Sequence, residues 1–123
     1  MIAGIGIDII EVERVSEKLD KENGFIDKVF SKREQEWCDD KPNRLEHYAA
    51  RFAAKEAFLK ATGKGMTLTY DLHKIEVISD QAGKPELILC DDLRTMQHVN
   101  GWKIHVSISH IKSAACAVVI LEQ

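Results

Sequence analysis

The sequence predicts an α+β fold in which a small antiparallel sheet packs against one long central helix. Two observations carry that expectation. Apolar residues recur at helical spacing through most of the first half of the chain, whereas period-two alternation dominates the second half, and helices gathered early with strands gathered late disfavour a doubly wound parallel sheet. The segment 51–61, read as a helix, has no broad polar face, so other elements must surround it. Its alanines at 53, 54, 57 and 61 let those elements approach closely at little cost in helix propensity. At 123 residues the chain makes one domain, 1–123, with a single modest core.

Each element follows from local pattern. Met1 to Ile10 reads as a buried strand, with Ala3, Ile5, Ile7 and Ile9 on one face and Gly4, Gly6 and Asp8 on the other, the glycines leaving space beside the carboxylate. From Glu11 to about Lys21 the period becomes helical, and Arg14, Lys18 and Lys21 form a basic stripe diluted by Glu11, Glu13 and Glu17. Phe25 to Phe30 suggests a short amphipathic helix. Ser31-Lys32-Arg33-Glu34 fits a capping box that opens another, carrying Trp37. After a break at 39–43 the long helix runs from about Arg44 to Ala61, with Gly63 placed to stop it in a left-handed cap. Lys74 to Ser79 and Glu86 to Cys90 read as strands around a turn at 80–83, and Asp91 to Val99 as a short helix. Trp102 to His110 and Ala114 to Leu121 are strands joined by a turn at 111–113.

Composition excludes several classes. A net charge of −3 argues against a general nucleic-acid binder. No apolar run is long enough to span a membrane, and the N-terminus lacks the pattern of a signal peptide, so a cytoplasmic protein is expected. Cys38, Cys90 and Cys116 are odd in number and lack zinc or C-x-x-C spacing, which points to reduced thiols. Gly4-x-Gly6 has no third glycine and no helix opening after it, so it is not a dinucleotide fingerprint. Gly63-Lys64-Gly65 ends a helix rather than starting one, so it is not a P-loop.

Two carboxylates on stiff elements, Asp8 on a strand and Glu56 on the central helix, suit magnesium, which takes one or two protein carboxylates and completes its shell with water and phosphate oxygens. Lys60, one turn after Glu56, is placed to counter charge on a transferring phosphate. The alternative for Glu56 and Lys60 is a plain intrahelical ion pair.

Gly4-Ile5-Gly6-Ile7-Asp8, the run Arg51 to Lys60, and His105-Val106-Ser107-Ile108-Ser109-His110 resemble the three signature segments of bacterial holo-acyl-carrier-protein synthases, the small class of 4′-phosphopantetheinyl transferases. The resemblance spans the chain in order. It implies magnesium-dependent transfer of the phosphopantetheine arm from coenzyme A to a serine of apo-acyl-carrier protein, with release of adenosine 3′,5′-bisphosphate, in the service of fatty acid biosynthesis. Asp8 and Glu56 would hold the metal, Glu56 would help remove the serine proton directly or through a water, and Lys60 would stabilise the leaving phosphate. The resemblance also implies a homotrimer with active sites between subunits. Coenzyme A would touch Arg51, Lys60, Gly63, Lys64 and Gly65 of one chain and Gly83, Lys84, Pro85, Ser109 and His110 of its neighbour. Arg14, Lys18, Lys21, Phe25 and Lys28 would receive the acidic carrier. His110 is read as a contact for the adenosine bisphosphate end, and His47, His73, His98 and His105 as surface or scaffold. Two other classes are open to these residues: a non-catalytic coenzyme A or carrier-binding module, and a magnesium-dependent phosphohydrolase.

Overall fold

A computed structural model describes residues 1–21, 24–63 and 71–123. Strand β1 (Ile2–Glu11) leads into α1 (Val12–Asp20), α2 (Phe25–Val29), α3 (Lys32–Asp39) and the long α4 (Arg44–Ala61). Strands β2 (Ile75–Ser79) and β3 (Pro85–Leu89), helix α5 (Asp92–Asn100), and strands β4 (Lys103–His110) and β5 (Ala114–Glu122) follow. The expected α+β architecture is present, but the strands divide into two antiparallel sheets. One has the order β1-β5-β4 and the other is the hairpin β2-β3.

Helix α4 is buried from Tyr48 through Leu59 and again at Ala61, as its lack of a polar face requires. One side joins the two sheets in a core containing Phe58, Val77, Leu89, Val119 and Leu121; the other meets α1 to α3 in a core containing Val15, Phe30 and Tyr48. Burial of Phe30, Phe58 or Leu121 stabilises the fold by about 1.5–3 kcal/mol each. Gly63 follows α4 with φ 80°, the left-handed stop expected of it.

The approach of α4 to β1 is set by two glycines. A methyl group at Gly4 would overlap the carbonyl oxygen of Ala61, and one at Gly6 would overlap that of Ala57. The space expected beside Asp8 is therefore filled by helix backbone, because only glycine allows a strand and a helix axis this close. It follows that the other face of β1 points outward, and Ile5, Ile7 and Ile9 are 64%, 66% and 73% exposed in the single chain.

The capping box at Ser31 forms, and its glutamate has a second task. Glu34 Oε1 accepts from Lys55 Nζ at 2.7 Å, both side chains fully buried, and Oε2 accepts from the Val77 amide at 3.1 Å. Lys55 also donates to the carbonyls of Leu72 and Ile75. Burial lowers its pKa and Glu34 resists that shift. One buried pair thus fastens α3, α4 and β2 together; removing either partner alone would strand a charge.

Candidate active site

Asp8 and Glu56 are brought together by the β1–α4 contact just described. Lys60 Nζ donates to Asp8 Oδ1 at 3.0 Å and to the Ile7 carbonyl at 3.0 Å. The plain Glu56–Lys60 ion pair is not what forms: the lysine, itself half exposed, reaches across to the strand that runs alongside the helix. Glu56 is 7% exposed, and its pKa is raised first by burial and second by the Asp8 carboxylate, against the lowering influence of Lys60 and Lys18. Two carboxylates that repel each other across a strand–helix contact are costly unless a cation joins them. Among the described residues no group of three or more His, Cys, Asp or Glu side chains could hold a metal, so any ion here rests on this pair and on what a substrate brings.

The five residues expected to dock the carrier do not behave alike. Arg14, Lys21 and Lys28 are exposed, whereas Lys18 and Phe25 are half-buried. The Lys18 ammonium lies 5.6 Å from the Phe25 ring centroid and 5.2 Å from that of Phe52. Lys18 is therefore turned toward α4.

A second constellation surrounds Arg51. Its side chain is buried and its guanidinium stacks on Trp37 at 4.1 Å from the ring centroid. One amino group makes a long 3.5 Å contact to Ser79 Oγ, Nε has no hydrogen-bond partner, and no carboxylate lies within ion-pair distance among the described residues. Burial lowers its pKa. A buried cation without a counter-ion borders a hollow of about 120 Å³, lined also by Trp37, His47, Gly83, Pro85 and His110. His110 Nδ1 hydrogen-bonds Glu46 Oε1 at 2.9 Å, and the His47 and His110 rings stand 5.0 Å apart.

The residues expected to touch coenzyme A do not gather in one place within the chain. Arg51 shares one hollow with Gly83, Pro85 and His110 of its own chain, instead of standing with Lys60 and Gly63. Arg51 and Glu56 are five residues apart, which turns them about 140° around α4. Ser109 and His110 alternate to opposite faces of β4, with Ser109 exposed on the outer one. Lys84 is exposed beside a wider hollow bordered by Trp102 and Lys103. Gly63 is exposed at the end of α4, and Lys64 and Gly65 lie outside the described residues. Trp37, Glu46, Ser79 and His47 were missed: they join the site only because α3, the start of α4 and β2 meet in space. The sequence marks His47 as surface or scaffold, yet it lines the Arg51 hollow; its position one turn before Arg51 on a helix with little exposed surface is the signal for it.

Paired acids and a lysine at a strand–helix contact, with a lone buried arginine elsewhere, are what a metal-assisted phosphoryl-transfer enzyme uses. The chain belongs to the 4′-phosphopantetheinyl transferase superfamily, which it matches over residues 4–119. Over 125 residues it is 46% identical to the holo-(acyl-carrier-protein) synthase of Halalkalibacterium halodurans, covering 100% of this chain and 98% of that one. The corresponding synthase of Cytophaga hutchinsonii is 40% identical over 126 residues, covering 100% and 99%. The crystal structure of the Neisseria meningitidis synthase superposes with a TM-score of 0.89 at 29% identity, covering all of both chains. That of the Bacillus anthracis synthase in complex with CoA (3′,5′-ADP) gives 0.80 at 38% identity, covering 98% of this chain and 96% of that one.

Proposed function

We propose that this chain is a holo-(acyl-carrier-protein) synthase that moves the 4′-phosphopantetheine arm of coenzyme A onto a serine of apo-acyl-carrier protein. The serine oxygen attacks the pyrophosphate phosphorus that carries the pantetheine. The new bond is serine O–P, and the bond that breaks joins that phosphorus to the bridging oxygen, which leaves with its electron pair on adenosine 3′,5′-bisphosphate. Glu56, on the face of α4 beside Asp8, takes the serine proton directly or through a water. Lys60, held by Asp8 and the Ile7 carbonyl, faces the charge that develops on the leaving phosphate. The donor set fits magnesium, because two carboxylates on separate stiff elements leave positions for phosphate oxygens. Asp8 and Glu56 would hold the ion, which when bound neutralises pyrophosphate charge.

The buried Arg51, which has no carboxylate within ion-pair distance among the described residues, supports a phosphate subsite for the adenosine end, with His110 in the same hollow. Because Arg51 and Glu56 face different directions around α4, one coenzyme A reaches both kinds of group most simply when two chains contribute. Asp8, Glu56 and Lys60 then come from one chain and Arg51, Gly83, Pro85 and His110 from its neighbour, in a homotrimer. Exposed Arg14, Lys21 and Lys28 give an acidic carrier a place to land.

The observation that carries this reading is the meeting of Asp8, Glu56 and Lys60 from two elements. Incubation with coenzyme A, magnesium and apo-carrier should add the mass of one phosphopantetheine group to the carrier. Asp8→Ala and Glu56→Ala should keep the fold by circular dichroism and lower the transfer rate roughly a hundredfold or more. Coenzyme A cleaved with the carrier unmodified would point instead to a hydrolase, and retained binding with no reaction to a binding module.

A further inference from the structure

Lys18 stands apart from the stripe to which its helical spacing assigns it. It is half-buried while Arg14 and Lys21 are exposed, and it pairs with no carboxylate within 4.0 Å among the described residues. Its ammonium rests 5.2 Å from the ring of Phe52. Phe52, Glu56 and Lys60 follow one another at four-residue intervals, so they lie along one face of α4. Lys18 and Lys60 therefore flank Glu56, one on each side along the helix.

Charge completes the argument. Asp8, Glu56 and Lys60 together leave the site with one net negative charge, and the Lys60 ammonium is already engaged with Asp8 at 3.0 Å. A divalent ion held by the two acids would turn this into one net positive charge, still short of the roughly two negative charges of a pyrophosphate diester, and Lys18 is a nearby ammonium, not engaged by a carboxylate among the described residues, that can supply the balance. The Phe25 and Phe52 rings hold it by cation–π attraction without cancelling its charge.

We infer that Lys18 is a second phosphate-contacting lysine of the reaction centre and not a carrier-docking residue. The inference rests on the transferase reading and deepens it, assigning the pyrophosphate of coenzyme A as the group that Lys18 meets. In the resting chain the aromatic rings keep the ammonium within reach of the acids. When the pyrophosphate arrives the ammonium swings to an unbridged oxygen, exchanging a cation–π contact for a charge-assisted hydrogen bond.

The test compares Lys18→Met, which keeps a flexible chain of similar length over the two rings but removes the charge, with Lys18→Arg and Lys21→Met. Coenzyme A binding is followed by calorimetry without carrier, and transfer by steady-state kinetics. Lys18→Met should weaken coenzyme A binding and lower kcat by about tenfold each, with the carrier KM unchanged. Lys18→Arg should recover most of both, and Lys21→Met should raise the carrier KM instead. A melting curve reports whether Lys18→Met folds, and Lys18→Gln serves if it does not. A raised carrier KM with unaltered coenzyme A affinity would return Lys18 to the docking stripe and overturn the inference. Unaltered affinity and kinetics would make it a packing residue and overturn it equally. If the wild-type chain binds coenzyme A but transfers nothing, the transferase reading fails on its own, and the binding comparison still decides whether Lys18 meets phosphate.

Discussion

Buried charges in this chain differ by what surrounds them, and the difference separates scaffold from site. Glu76 accepts from Arg33 Nε at 3.1 Å and Nη2 at 2.8 Å, from Ser31 Oγ at 2.6 Å and from Cys90 Sγ at 3.1 Å. The Arg33 bonds chiefly pull its pKa from 4.5 down to about 2, against burial. Among the described residues Glu56 has no such set of donors and its pKa moves the other way, while Arg51 is a buried cation with no carboxylate within ion-pair distance. A fully satisfied acid belongs to the fold; an acid left with an acid, or a cation left alone, waits for a ligand. For Glu76 the sign is definite. A depressed folded pKa contributes stability that is present above the ordinary value and lost as pH falls toward the folded one, so the window runs from about pH 4.5 down to about pH 2. Glu76→Gln should cost about 1–3 kcal/mol at pH 7, discounted because Arg33 is largely exposed. In urea titrations at several pH values that cost should shrink through this window. A cost unchanged between pH 7 and pH 2.5 would mean the ionic bonds are not what Glu76 contributes.

At the scale of elements, the site is a consequence of how β1 lies on α4. Gly6→Ala places a methyl against the Ala57 carbonyl, in backbone that cannot rotate aside. The strand and helix must move apart, and Asp8 and Glu56 separate with them. Expected is a loss of about 2–4 kcal/mol in stability, with transfer falling further than melting at assay temperature explains. A variant that melts and transfers like the parent would show that β1 can slide without consequence. Much of this arrangement is legible in sequence: α4 begins at Arg44 and ends at Ala61 as its pattern and Gly63 require, and the Ser31 capping box forms as spelled. Local pattern could not say which face of β1 meets the helix. Both faces hold small or apolar residues, and tight packing favours the glycines over the isoleucines. Nor could spacing show that Lys60 prefers Asp8 to Glu56, since the strand is 52 residues away. The division into two sheets, and the gathering of Trp37, His47, Arg51 and His110, likewise depend on contacts that no short window contains.

For the whole molecule, the telling feature is the outward face of the three-stranded sheet. Register places Ile5 beside Ile120 and then His105, Ile7 beside Val118 and Ser107, and Ile9 beside Cys116 and Ser109. Three isoleucines more than 60% exposed in one row are unusual on a free surface, where contiguous apolar patches normally mark an interface. The homotrimer proposed above would supply the cover, because the two halves of the proposed site face different ways around α4. In that trimer this face would close around the threefold axis and bury the isoleucines. Ile7→Glu sets like charges against one another at that axis without touching the inner face of the sheet. Sedimentation should give three times the chain mass for the parent and one chain mass for the variant, whose secondary structure by circular dichroism stays intact. Transfer should fall by at least about a hundredfold, since a lone chain keeps its acids but loses the neighbour's arginine. A monomeric Ile7→Glu that transfers at the parental rate would show that one chain holds the whole site, and Arg51 would then need another anion to explain its burial.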